Sequence, residues 1–181
     1  QKPFVFRLAN DSDADPKYLA QEYSKPVEYL YKTTIAGASE VISQTDRQQR
    51  MLSQRFNTSS HVVPNTYDVP PCGKLIPHAD REGILWVGSS DQEQKKPERF
   101  LELADQLPDK TFKMISKPLP TDEGYHKILQ QKANKRSNLL FLGEISPNKV
   151  HEHYRKAKIL VNTSDYEGFP NTFLEAWRYE T

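Results

Sequence analysis

The sequence predicts an α/β protein built of parallel sheets with helices on both faces. Short apolar runs of strand length alternate with segments of helical period along most of the chain. Several of the helical segments open beside a proline, as Asp15-Pro16, Lys96-Pro97-Glu98 and Ser146-Pro147 do. Proline is well placed at the first helical position, where its missing N–H and fixed φ cost nothing, and an aspartate or serine before it can cap the helix. The alternation pauses once, at a stretch dense in proline, and then resumes. Repeated strand–helix units of this kind build parallel sheets, which bind ligands at the carboxyl ends of their strands.

Taken in order, residues 4–8 read as a strand, 16–32 as a helix, 40–43 as a strand, 46–56 as a helix and 61–63 as a strand. Between 64 and 81 stand Pro64, Pro70, Pro71, Gly73 and Pro77, a composition that suits a linker. The expected organisation is a first domain over 1–69, a linker over 70–82 and a second domain over 83–181. In the second, 84–87 reads as a strand, 97–107 as a helix, 111–115 as a strand and 123–135 as a polar helix. The run 139–142 is a strand, 148–157 a helix, 159–161 a strand, and a final helix starts at Pro170.

Composition excludes several classes. A chain of 181 residues, 36% of them hydrophobic, can bury one good core or two small ones but is polar overall. Its apolar stretches are far shorter than the roughly 20 residues of a membrane span, so no transmembrane segment is expected. A net charge of +1 gives no argument for nucleic acid. The single cysteine, Cys72, cannot form an internal disulfide, and no basic segment followed by an apolar one opens the chain. These two observations favour a reducing, cytoplasmic setting.

The chemistry concentrates near the end. Glu167, Gly168, Phe169, Pro170, Asn171, Thr172, Phe173, Leu174 and Glu175 follow an apolar run and open a helix. The first turn of a helix offers unpaired N–H groups and partial positive charge to a phosphate. Glu167 stands before that terminus and Glu175 roughly 7 Å further along the axis, where each can accept hydrogen bonds from hydroxyls. Sugar, diphosphate and ribose have that layout. Two glutamates eight apart are ordinarily a solvated face; the Gly-Phe-Pro-Asn between them and the strand before them single out this pair.

These residues carry a resemblance that covers most of the chain. Val87-Gly88 after a strand, Lys95-Lys96-Pro97-Glu98, Leu140-Phe141-Leu142-Gly143 and the stretch 167–175 resemble, in order and spacing, the donor-binding domain of a family-4 retaining glycosyltransferase with the Rossmann-like GT-B fold. Val62-Val63-Pro64-Asn65 resembles the stretch that joins the two domains of that family, with Thr66 and Tyr67 in place of its usual pair, and 39–45 resembles the strand before it. The resemblance implies a partial GT-B architecture. It would contain the end of the acceptor-side domain and most of the donor domain, and by itself this fragment would bind donor without transferring it.

For matched positions the resemblance implies roles. Glu167 would hold donor-sugar hydroxyls, and the backbone about Gly168, Phe169 and Pro170 would line the sugar pocket. Asn171 and Thr172 would face the diphosphate, Glu175 the ribose, and Gly143 with Glu144 the nucleobase. Lys95, with Lys96 as the lesser candidate, would neutralise the departing diphosphate, with Gly88 and Ser89 beside it; no metal or other cofactor is implied. The implied activity is metal-independent transfer of a hexosyl unit from a nucleotide-diphosphate sugar to a saccharide or lipid-linked acceptor, as in polysaccharide biosynthesis, by an enzyme that can be peripheral on a membrane. The family usually carries a basic residue where this chain has Ser89, so leaving-group stabilisation is either weaker or completed elsewhere. A chain stopping at Thr181 is also expected to leave the strand near 158–164 with an unpaired edge that invites self-association.

Other readings remain beside this one. A noncatalytic nucleotide-sugar-binding or interaction module is favoured if Ser89 reflects lost transfer. A dinucleotide oxidoreductase lacks its Gly-x-Gly-x-x-Gly after a strand. The run Asp11-Ser12-Asp13-Ala14-Asp15 imitates a metal-binding loop, but Pro16 stands where a calcium loop needs glycine, and the plainer reading is a polar loop whose last aspartate caps a helix. His151 and His153 point to different sides of one helix and do not suit a metal.

Overall fold

The computed structural model describes residues 2–66 and 75–181. They form two compact units: residues up to Thr66 together with Tyr166–Pro170, and the rest up to Asp165 together with Asn171–Thr181. The proline-rich stretch 67–74, which includes Cys72 and the start of the expected linker, lies outside the described residues. Residues 75–82 belong to the second unit, where a 3₁₀ turn, His78–Asp80, precedes the buried Arg81, whose Nε donates to the Ile76 carbonyl at 2.7 Å.

Among the described residues the first unit holds a three-stranded parallel sheet in the order β1 (Val5–Arg7), β2 (Glu40–Ser43), β3 (His61–Val62). Helices α1 (Pro16–Glu22) and α2 (Lys25–Gly37) connect β1 to β2, and α3 (Asp46–Phe56) connects β2 to β3. The single helix expected over 16–32 is thus two. Pro26 is the reason: inside a continuous helix it would remove one hydrogen bond and clash with the preceding turn, so the chain turns extended at Tyr23 and Ser24 and restarts with proline in the first turn. Asp15 caps α1 by accepting from the Lys17 amide, as read from the sequence. Thr45 caps α3, which ends on Asn57 in the left-handed region at φ 50°. Leu8, Ala14, Ile35, Val41 and Leu52 form the buried centre of this unit.

The second unit holds a four-stranded parallel sheet, again among the described residues. Its strands are β4 (Ile84–Ser89), β5 (Phe112–Lys117), β6 (Leu139–Gly143) and β7 (Ile159–Leu160), in the order β6-β5-β4-β7. The helices between and after them are α4 (Glu98–Gln106), α5 (Glu123–Ala133), α6 (Pro147–Lys156) and α7 (Asn171–Trp177). Because neighbouring strand residues point to opposite faces, one sheet feeds two cores. Trp86, Phe112 and Met114 join Phe100, Leu101, Ala104, Leu129 and Ala133 of α4 and α5. Leu85 and Ile115, one position away along the strands, join Tyr154 of α6 and Ala176 of α7. Burial on both faces is what a run such as Leu85-Trp86-Val87 requires. β7 is an edge strand, and Ile159 on it is 49% exposed. Among the described residues no helix is long and apolar enough to cross a membrane.

Candidate functional site

The order β6-β5-β4-β7 fixes where a ligand can enter the second unit. From β4 the chain builds outward through β5 and β6, then returns to the other side of β4 with β7. Connections leaving β4 and β7 therefore part in opposite directions, and a crevice opens at the carboxyl ends of these two strands.

Six of the residues singled out from the sequence stand at the carboxyl ends of strands in the second unit or in the connections that leave them, and three more lie on α7. Gly88 and Ser89 end β4, Lys95 and Lys96 lie in the connection to α4, Gly143 ends β6 and Glu144 follows it, and Asn171, Thr172 and Glu175 lie on α7. From β6 to β7 is three strand spacings, about 14 Å. The remaining four, Glu167, Gly168, Phe169 and Pro170, group with the first unit, so the signature that is continuous in sequence is divided between the two. There Gly168 forms an isolated antiparallel bridge with Asn10, and the Phe169 carbonyl accepts from Asn65 Nδ2 at 3.2 Å.

Each glycine of the set has its own physical reason. A Cβ on Gly88 would meet the Trp86 ring at 2.8 Å, and Gly143 holds φ at +67°, a backbone that side chains rarely adopt. Ser89 is 9% exposed and brings a hydroxyl but no charge to the end of β4. Next to it, Ser90 Oγ donates to the Lys117 carbonyl at 3.1 Å and so must accept from Nδ1–H of His126 at 2.9 Å, which fixes the tautomer of that ring.

The lysine turn is the most constrained part of the site. Asp91 Oδ1 accepts from the amides of Glu93 and Gln94, and the Asp91 carbonyl accepts from those of Lys95 and Lys96. Lys96 follows in the left-handed region at φ 47°. Its Nζ lies 3.6 Å from Glu93 and 3.8 Å from Asp165, and Asp165 also pairs with Arg99. Lys96 and Arg99 thus share Asp165, and Lys95 stands one residue earlier in the same turn. Sequence reasoning missed Arg99, Asp165, Thr163 and Trp86. The polar run Asn162-Thr163-Ser164-Asp165, directly after a strand, was the signal that could have found two of them.

The three early aspartates have separate partners. Asp11 pairs with Arg47 at 3.1 Å, Asp13 Oδ2 accepts from the amides of Ala9 and Asn10, and Asp15 pairs with Arg55 at 2.8 Å. The sequence profile of the family described as glycosyl transferases group 1 matches residues 81–181, more than half of the chain. The chain belongs to that family.

The matched region of this group 1 glycosyl transferase chain takes in the second unit from Arg81 onward, together with Tyr166–Pro170, which group with the first. No curated protein shows significant sequence similarity to the chain. Solved structures do resemble it. The trehalose-phosphate synthase (UDP-forming) from Burkholderia vietnamiensis superposes with a TM-score of 0.72 at 16% identity, over 100% of this chain and 52% of that one. Anabaena HepE in complex with UDP and glucose gives 0.70 at 18% identity, over 98% and 50%. A mutant of TarM from S. aureus, in complex with fondaparinux, alpha-GlcNAc-glycerol and UDP, gives 0.71 at 17%, over 98% and 35%. The chain therefore spans between about a third and about a half of the length of these structures. At such identities the likeness concerns the fold, which is Rossmann-like and of the GT-B type.

Proposed function

We propose that this chain supplies the donor-binding part of a family-4 retaining glycosyltransferase that uses a nucleotide-diphosphate sugar. The observation that carries the reading is the strand order β6-β5-β4-β7, which reverses beside β4 and so sets the lysine turn after β4 next to the connection from β7 to α7, the helix that carries Glu175. Neighbours of the same fold hold UDP, which makes UDP-sugars the first ligands to try.

In this reading the base lies by Gly143 and Glu144 and the ribose hydroxyls donate to Glu175. The diphosphate meets the amides that open α7, at Asn171 and Thr172, together with Lys95 and, less directly, Lys96, with Gly88 and Ser89 allowing close approach. Donor-sugar hydroxyls donate to Glu167, and the backbone of Gly168, Phe169 and Pro170 borders the sugar. As a saccharide or lipid-linked acceptor attacks the anomeric carbon, the bond to phosphate breaks and its electron pair stays on the departing oxygen. Preorganised positive groups around that oxygen lower the barrier without a metal. With Ser89 giving no charge, that burden falls on the lysine turn.

Calorimetry against UDP-, GDP- and ADP-sugars tests the reading, with Glu175→Ala as control. Loss of a hydrogen bond to a charged group weakens binding by about 1.5–3 kcal/mol; equal affinity of mutant and parent removes Glu175 from the site. A second reading, a noncatalytic nucleotide-sugar-binding or interaction module, draws on the uncharged Ser89. Donor binding without transfer by the whole protein, offered saccharide and lipid-linked acceptors, would favour it.

A further inference from the structure

Lys95 is held at both ends of its residue. Its amide donates to the Asp91 carbonyl at 3.0 Å, and its own carbonyl accepts from Thr163 Oγ1 at 2.6 Å. Thr163 follows β7 by a few residues, on the far side of the crevice edge from the connection that carries Lys95, and the two are 68 positions apart in the chain.

The direction of that hydroxyl is not free. Trp86 Nε1–H, from a side chain 2% exposed on β4, donates to Thr163 Oγ1 at 2.9 Å. An indole nitrogen can only donate, so it occupies an acceptor position of the hydroxyl and leaves the hydroxyl proton for the Lys95 carbonyl. The indole ring is itself fixed, packed against Phe100 and tucked where Gly88 lacks a Cβ. Two further bonds hold the same loop to the lysine turn: the Asp165 amide donates to the Gln94 carbonyl at 3.0 Å, and Arg99 Nη1 donates to the Thr163 carbonyl at 3.1 Å.

We propose that Thr163, oriented by Trp86, is the positioning residue of the lysine turn: by fixing the Lys95 carbonyl it presents the Lys95 ammonium to the diphosphate. The proposal rests on the reading above that Lys95 faces the diphosphate. It gives the part-buried Trp86–Thr163–Lys95 chain of hydrogen bonds a part in donor affinity that packing alone does not require. A hydroxyl in the loop after the returning strand reports to the first loop that the β4–β7 edge is correctly formed.

The test is calorimetry of the full chain with whichever of UDP, GDP and ADP binds the parent, comparing Lys95→Ala, Thr163→Val, Thr163→Ser and the double variant Lys95→Ala/Thr163→Val. Lys95→Ala should weaken binding at least roughly tenfold, as loss of a charged contact does. Thr163→Val keeps the shape but loses the hydroxyl, and should weaken binding about fivefold, while Thr163→Ser stays within about twofold of the parent. In the Lys95→Ala background the valine should cost nothing further, because its effect passes through the lysine. Lys95→Ala binding as tightly as parent, or no nucleotide binding at all, overturns the diphosphate reading and this proposal with it. A weak Lys95→Ala beside a Thr163→Val equal to parent overturns this proposal alone, as does an undiminished loss from valine in the double variant. Should Thr163→Val fail to fold, Trp86→Phe, which removes the indole N–H, carries the same expectation in smaller measure, and unchanged affinity in that variant overturns the proposal equally.

Discussion

Gly168 lies so close to Ala9 that a Cβ on it would stand 2.3 Å from the Ala9 carbonyl oxygen and 2.8 Å from Nε2 of Gln48. Neither neighbour can yield easily. Ala9 is backbone, its carbonyl also accepts from Gln44 Nε2 at 3.1 Å, and Gln48 is fully buried with its Oε1 bound to the Gln44 amide. The glycine that the sequence offers as the wall of a sugar pocket is, in the first unit, also a packing requirement.

Gly168→Ala should therefore destabilise the first unit by about 1–3 kcal/mol, the usual range for overfilling a close-packed site. Urea unfolding read from the first unit checks it: the midpoint falls while the slope holds. An unchanged midpoint would mean that the Ala9 backbone moves aside freely.

Lys96→Gly is expected to stabilise. At φ 47° a lysine carries about 1 kcal/mol of left-handed strain that glycine does not. The ion pairs it gives up, at 3.6 and 3.8 Å, are partly exposed and contribute little. A raised melting temperature with nucleotide affinity nearly retained fits Lys95 as the main cation, whereas a loss of affinity as large as that of Lys95→Ala would shift the role to Lys96.

His153 makes the second unit sensitive to mild acid. Burial, and then the charges of Lys113 and Lys156, hold its imidazole below the usual value of 6.5, with Glu152 opposing. Between that lowered value and 6.5 the unfolded chain binds more protons than the folded one, so stability rises with pH across the window and levels off above it. His153→Gln should flatten this rise in urea midpoints measured from about pH 5 to about pH 7.5. Asp11 acts with the opposite sign and lower on the scale: burial raises its carboxyl above 3.8 against the pull of Arg47 and Gln48, so stability falls as pH climbs from 3.8 through its raised value.

How much of this was legible follows from which interactions are local. The helical period from Asp46 to Phe56 defines α3 at its true bounds, and Glu40 to Ser43 emerges as written, because helix periods and strand runs are short-range. The break at Pro26 was equally local but was passed over for the apolar period on either side. The contacts that shape the site are of another kind. Trp86 meets Thr163 across 77 positions because β7 returns beside β4, and periodicity does not encode strand order. Likewise nothing in the stretch 167–175 foretells that Tyr166–Pro170 groups with the first unit and Asn171 onward with the second.

The central claim, that a nucleotide sugar lies along the carboxyl edge of the second sheet, is tested most directly by amide chemical shifts on titration with the sugar nucleotide that binds. The account predicts shifts at Ser89, Lys95, Lys96, Gly143, Glu144, Thr172 and Glu175. Shifts gathered instead at the opposite edge, at Gly83, Ile84, Thr111 and Asn138, would contradict it.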